Sequence, residues 1–378
     1  MTLARKLFTT VAGTALAAGP ALAQVPDMLN ALDAGGRSMG LGGSQYATSA
    51  DTFSTLKNPA GLAYILRPTI GLAATTLPTS RTVVRGSLSD KVLDTRSRSG
   101  DYTLSHIALA YPLGRGDSGR GTIGIGYTLG GWFHDTQRGA NLAGGVSQFF
   151  DFTRVRTGFA TVSYGNTTRD DNLAFGVGLV VATQDIKNDQ IIRFTDNQVP
   201  PGEADSTGSG TGLGAVVGLL YTPAGQPNST FGISIRTPIT IDSSNEVMAL
   251  YDRIPGVVSG SVAYRRDGVG RASDFIVFGA QLDYFFGGRA GERLDRKDFA
   301  AGGVGFEYHY SLGSATIPVR VGYRWAPAGG DGFDDRNGLT YGLGYRPGNR
   351  DWSIDINWAQ ADRGGVDTAI YLTYRFGR

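Results

Sequence analysis

The chain has 378 residues, with 35 Lys and Arg against 33 Asp and Glu, 57 glycines and no cysteine. The lack of cysteine excludes disulfides and thiolate chemistry, and the near-balance of charge removes the electrostatic footing for nucleic-acid binding. Glycine stands at about twice its ordinary usage without a collagen-like period, which points to close backbone approaches in a β-rich chain.

Residues 1–23 read as a secretory leader. Arg5 and Lys6 form its basic start, Leu7 to Ala18 its short apolar core, and Ala21-Leu22-Ala23 a small-x-small cleavage site. The mature chain is then expected to begin at Gln24 and to carry 33 residues of each sign, because the leader removes two basic residues and no acidic one. No later stretch holds roughly eighteen consecutive apolar residues, so the sequence offers no membrane-spanning helix.

Residues 24–66 lack strand alternation. Gly35 to Leu62 reads GGRSMGLGGSQYATSADTFSTLKNPAGL. Glycines at 35, 36, 40, 42 and 43 suit tight turns. Ser49-Ala50-Asp51 offers a cap for a short helix over Thr52–Lys57, which Pro59 is expected to stop.

Beyond residue 67 one rhythm takes over: segments of about ten residues alternate apolar with small or polar positions, as strands with one face in lipid do. In the C-terminal half, Val304, Phe306, Tyr308, Tyr310 and Leu312 share one face while Glu307 and His309 share the other. Ile317, Val319, Val321, Tyr323 and Trp325 likewise oppose Arg320 and Arg324. The pattern predicts a transmembrane antiparallel β-barrel of about fourteen strands. Their expected spans are 68–77, 101–113, 121–132, 151–165, 172–186, 209–222, 230–241, 255–266, 274–286, 299–312, 316–326, 337–346, 351–360 and 367–377. Connections alternate between short turns and longer loops such as 78–100, 133–150 and 187–208, which assigns periplasmic and extracellular ends and puts both termini in the periplasm. Tyr111, Tyr164, Tyr221, Tyr264, Tyr310, Tyr345 and Tyr374 fall near the lower ends of descending strands, a level that suits an apolar ring with a polar tip. Trp132, Trp325 and Trp358 fall at the upper ends.

Catalytic and metal signatures are thin. His106, His134 and His309 have no ligand spacing, no Gly-x-Ser-x-Gly elbow occurs, and the Gly-rich runs at 121–131 and 208–218 lack the strand–loop–helix context of a phosphate loop. No catalytic residue, metal or cofactor is assigned. Glu307 and His309 share a lumen face; an acid–base pair is conceivable there, but a solvated lumen pair is the better explanation, since barrel interiors are normally polar. The lumen is the informative surface. Ala174, Gly176, Gly178, Val180, Val216, Gly218 and Leu220 point inward on small or apolar strands; Arg236, Arg265, Glu307, His309, Arg320, Arg324, Asp355 and Arg375 point inward on later ones. Phe159, Val180, Val216 and Leu220 would hold the chain of an amphipathic ligand, and Arg236, Arg320 and Arg324 its carboxylate. The same arginines could instead pair with Glu307, Asp283 and Asp355 and hold the lumen together. The paired glycines Gly130-Gly131 mark a bulge or bend, hence a candidate lateral opening.

The Gly-Arg-Ser-Met-Gly-Leu-Gly-Gly run from Gly36 onward, followed by Asn58-Pro59-Ala60-Gly61-Leu62, resembles the N-terminal hatch of FadL-type outer-membrane transporters for long-chain fatty acids and other hydrophobic compounds. The strand count extends the resemblance, as do Phe231-Gly-Ile-Ser-Ile-Arg-Thr-Pro238, Ile254-Pro255 and Val262-Ala-Tyr264-Arg265. It implies that residues 24–66 plug a barrel of residues 67–378, with Asn58 to Leu62 at the heart of the hatch. It also implies that the strand bearing Gly130 and Gly131 kinks to open the wall. Tyr374-Arg375-Phe376 resembles the terminal signal read by the outer-membrane assembly machinery, although Gly377 and Arg378 follow it. The implied protein is a monomer in a bacterial outer membrane, among membrane lipids, passing hydrophobic molecules inward without chemistry. The alternative is a barrel serving as scaffold or shuttle in protein secretion, since related barrels share these motifs.

Overall fold

The structure, a computed structural model, describes residues 36–44, 50–85, 92–114, 121–142, 146–196, 198, 200–242, 253–288, 298–327, 337–360 and 366–377. The expected leader and residues 24–35 lie outside these. Strands run Thr69–Arg85 (β1), Val92–Pro112 (β2), Thr122–Leu142 (β3), Val146–Thr167 (β4), Leu173–Phe194 (β5), Gly202–Tyr221 (β6) and Ser229–Arg236 (β7). Two short strands, Ile239–Thr240 (β8) and Arg253–Ile254 (β9), pair with each other. The rest are Gly256–Asp267 (β10), Phe275–Phe286 (β11), Phe299–Leu312 (β12), Ala315–Trp325 (β13), Gly338–Tyr345 (β14), Trp352–Gln360 (β15) and Val366–Arg375 (β16). Among the described residues, fourteen strands close into one barrel in chain order, with β16 meeting β1 and the β8–β9 ribbon standing apart.

Alternation of side chains places the two faces. On β5, Val177, Leu179 and Val181 are exposed on the outer face, while Ala174, Val180 and Ala182 are buried inside. An outer wall of Leu, Val, Phe, Tyr and Trp over this many strands belongs in hydrocarbon, not water. Of the seven lower-end tyrosines, Tyr111, Tyr221, Tyr264, Tyr345 and Tyr374 are exposed; Tyr164 and Tyr310 are half-buried.

Several expected boundaries need correction. β1 to β6 continue well above the expected strand ends, through much of what reads as loop at 78–100, 133–150 and 187–208. Asp185, Lys187 and Asp189 of β5 pair with Ser209, Thr207 and Asp205 of β6. Above the bilayer the outer face need not be apolar, so the alternation fades while the ladder goes on. The seventh strand stops at Arg236 rather than 241, because Pro238 lacks the N–H a ladder needs. Arg265 is exposed rather than in the lumen, paired to Asp267 at 2.7 Å beside the turn. The expected helix over Thr52–Lys57 is instead a 3-10 segment, Thr52–Thr55, the second of three with Met39–Leu41 before it and Pro59–Tyr64 after it. Asp51 caps the second by accepting from the Phe53 N–H at 3.0 Å. Pro59 opens the third instead of merely stopping its predecessor, with Asn58 accepting from the Ala60 N–H at 3.1 Å.

These segments sit inside the barrel, and the wall is built of glycine where they touch it. A Cβ at Gly176 would strike the backbone of Pro59 and Ala60, and one at Gly218 the side chain of Asn58. Across the lumen, Gly303, Gly305 and Gly322 admit Leu41 and Gly42 in the same way. Gly42 itself has φ +65°, and a Cβ there would strike the Tyr323 and Val304 carbonyls. Replacing Gly176 with valine is therefore expected to destabilise the protein by about 1–3 kcal/mol, read as a lower denaturant midpoint. Gly260→Val, on the lipid face with nothing within 4 Å of its Cβ position, should leave the midpoint unchanged.

Candidate functional site

One side of the lumen is apolar. Phe159, Val180, Ala182, Ile186 and Val216 of β4 to β6 pack with Leu56 of the plug and with Ile239, Ile241 and Ile254 in and beside the β8–β9 ribbon. The ribbon thus folds in from the β7–β10 connection and covers this patch. Arg236 lies against it, its guanidinium 4.9 Å from the Phe159 ring centre, and donates to the Pro255 carbonyl at 3.2 Å. Of the expected ligand residues, Phe159, Val180, Val216 and Arg236 therefore come together. Leu220 does not join them; it packs with Ala60 and Ala174 under the plug. Asn58 fastens the plug there, donating to the Leu219 and Ile233 carbonyls at 3.3 and 3.4 Å.

The other side is ionic. Arg320 reaches Glu307 at 2.9 Å and Asp355 at 2.6 Å, and Arg37 of the plug reaches Glu307 at 2.5 Å. His309 is paired with Glu307 as well. Asn357 donates to the Gly36 carbonyl at 2.8 Å, and Thr340 accepts from the Gly42 N–H at 2.9 Å. Arg320 is thus engaged by two carboxylates, the structural alternative that the sequence left open. Arg324 is also buried, on β13. The side chain of His134 lies outside the described residues.

A third feature lies in the wall. The β2–β3 ladder runs from Pro112–Thr122 up to His106–Thr128 and stops. Higher up, β3 pairs instead with β1, in parallel, from Ser80–Asp135 to Arg85–Ala140. Between them, residues 129–134 of β3 pair with β4 alone among the described ladders. Both strands are bulged where the seam ends. In β3 the register slips between Leu129 and Gly131, and a Cβ on Gly130 would overlap the Phe159 ring. In β2, Ala73 and Ala74 of β1 face His106 and Leu104, which leaves Ser105 as the extra residue. Ser105 and His106 are consequently both buried. The sequence pointed to the glycine bulge and missed its counterpart. The signal was there as a slipped alternation: Tyr102 and Leu104 are exposed, then Ile107, Leu109 and Tyr111.

Fold and site define a plugged transmembrane β-barrel whose β2–β3 ladder, among the described residues, is interrupted. Its architecture is that of the FadL-type outer-membrane channels. Among solved structures it is similar to a Pseudomonas aeruginosa FadL homologue at 14% identity, covering 90% of this chain and 98% of that one with a TM-score of 0.57. It is similar also to the Ralstonia pickettii toluene transporter TbuX, at 17% identity, 90% and 97% coverage and a TM-score of 0.59. The Pseudomonas putida toluene transporter TodX matches at 12% identity, 90% and 97% coverage and a TM-score of 0.60. At these identities the likeness is one of fold. No family model and no curated protein sequence matches the chain.

The ionic side makes a stability prediction. Glu307 is fully buried between two arginines, so Glu307→Gln leaves both without their shared carboxylate. Breaking a buried pair in this way costs on the order of 3–5 kcal/mol. Guanidinium unfolding should show a much lower midpoint, and an unchanged one would mean that the plug does not depend on this cluster.

Proposed function

We propose that the protein is a passive outer-membrane channel that takes up small hydrophobic or amphipathic molecules and releases them sideways through the wall between β2 and β3. The observation that carries this reading is the seam that ends at His106–Thr128, with a bulge on each strand and the Phe159 patch behind it. Unpaired backbone is costly in hydrocarbon unless it lines a cavity or passage, so an interruption here has a use. The plug fills the lumen below, so straight passage to the periplasm is obstructed while the side route needs only the seam. Arg236 against Phe159 supplies a cationic partner for an acidic headgroup, in the manner of a fatty acid. The neighbouring structures are described as toluene transporters and a FadL homologue, which favours apolar cargo. In this reading residues 24–66 are the hatch, both chain ends face the periplasm, and the barrel works as a monomer after insertion by the assembly machinery.

Because the chain has no cysteine, an introduced pair is unambiguous. Ser105→Cys with Leu129→Cys would bridge β2 and β3 just past the last rung, His106–Thr128. Once the crosslink is verified by its mobility in a gel, uptake of labelled toluene and of a labelled fatty acid should fall, and reductant should restore it. Full uptake by the crosslinked protein would end the lateral-exit reading. Separately, deleting residues 35–62 should raise single-channel conductance in planar bilayers; unchanged conductance would show that this segment does not close the lumen.

A further inference from the structure

The last rung of the β2–β3 seam is also where the plug touches β2. Thr52, the first residue of the second 3-10 segment, lies 2.9 Å from His106 Nε2 through its hydroxyl. His106 Nδ1 lies 2.8 Å from the hydroxyl of Thr128 on β3. One ring nitrogen of a neutral imidazole donates and the other accepts, so a single histidine can serve both hydroxyls at once. On the far side, Thr52 lies 3.1 Å from the hydroxyl of Tyr371 on β16. The Phe53 ring stacks on His106 with centres 3.8 Å apart, and Thr52, Phe53, His106 and Thr128 are all fully buried. A continuous hydrogen-bonded chain therefore runs from β3 through β2 and the plug to β16. The Ser105 bulge explains how His106 comes to aim inward beside a second inward residue.

We propose that His106 is a positioning residue that couples the seat of the plug to the length of the β2–β3 seam. With Thr52 and Phe53 seated, the imidazole is held flat and oriented toward Thr128, and the last rung stays closed. When the plug shifts, His106 loses both its hydrogen-bond partner and its stacking partner. Thr128 then loses an oriented partner, and the seam opens from its upper end downward, enlarging the gap at the point where cargo would leave. Buried hydrogen bonds in a chain reinforce one another, so removal of one link weakens the next. The plug thus senses the lumen and the wall responds, through one side chain.

The proposal rests on the lateral-exit reading, and its test reads the seam rather than uptake, so the two can fail separately. Amide hydrogen exchange of the purified, folded protein would be followed in peptides spanning 104–110 and 122–130. Thr52→Val, which removes only the plug's hydroxyl, should speed exchange there by about 2- to 10-fold, the factor that one buried hydrogen bond is worth. His106→Ala should do the same, and the double variant should exceed the larger single effect by little, as members of one chain do. Tyr371→Phe, which cuts the link one step further from the seam, should speed exchange in these peptides less than Thr52→Val does. Should His106→Ala fail to fold, Thr128→Val takes its place, removing the hydroxyl on β3 at similar volume. The proposal is overturned if Thr52→Val leaves the seam unchanged while His106→Ala or Thr128→Val loosens it, since His106 would then be a staple between strands and nothing more. Fully additive effects of the two substitutions would overturn it as well.

Discussion

In hydrocarbon a backbone N–H or C=O without a partner costs several kcal/mol, because no water is present to take the place of the missing bond. A sheet meets that constraint by closing on itself, and here β16 meets β1 from Thr69–Arg375 to Thr75–Ala369. The outer face is then free to be apolar, the inner face need only fit its contents, and strands can extend past the membrane while their ladders last. The same constraint gives meaning to the place where a ladder stops. Six residues of β3 that, among the described ladders, lack a partner on the β2 side would be a defect in a soluble sheet's interior. In hydrocarbon such a break is costly unless it lines a cavity or passage.

The plug and the wall are fitted at the level of backbone. Glycines at inward positions let the 3-10 turns lie directly on the strands, closer than any side chain would permit. The high glycine content therefore serves contact, with Gly42 as the place where positive φ matters too. The polar contacts follow from that closeness. Arg37 can reach Glu307, and Asn58 can reach two strand carbonyls, only because nothing stands between. Removing buried charges from water is unfavourable unless they are paired, and Glu307 is paired from both the wall and the plug. The lumen is thereby divided into a locked ionic half and an apolar half roofed by the β8–β9 ribbon.

This division separates the contacts that hold the plug from the apolar patch beside the end of the β2–β3 ladder. The ionic half fixes the plug through Arg37, Gly36 and Gly42. The apolar half brings Phe159 against Gly130, where β3 is bulged and its ladder to β2 has ended. Thr52, Phe53 and His106 lie on the boundary and touch plug, seam and β16 together. Structural neighbours at 12–17% identity share the architecture over about nine-tenths of this chain, so the fold tolerates wide change in sequence.

Alternation with period two was enough to read the barrel, because which face a residue takes is set by its position along its own strand. Inward Val180, Val216, Glu307 and His309 were legible for that reason, and so were the outward tyrosines and the glycine bulge at Gly130. The plug was legible as a stretch without alternation and by its Asn58-Pro59-Ala60 motif. Strand ends above the bilayer were not, since water relaxes the demand for an apolar outer face. Nor could the sequence decide which charges pair: Arg320 and Arg236 look alike along the chain, and only the folded barrel sets one between Glu307 and Asp355 and the other over Phe159. The inward fold of the β8–β9 ribbon, the end of the β2–β3 seam and the meeting of Thr52, His106 and Thr128 belong to the tertiary structure for the same reason. They join residues from separate parts of the chain, and local periodicity carries no information about which distant partner a side chain will meet.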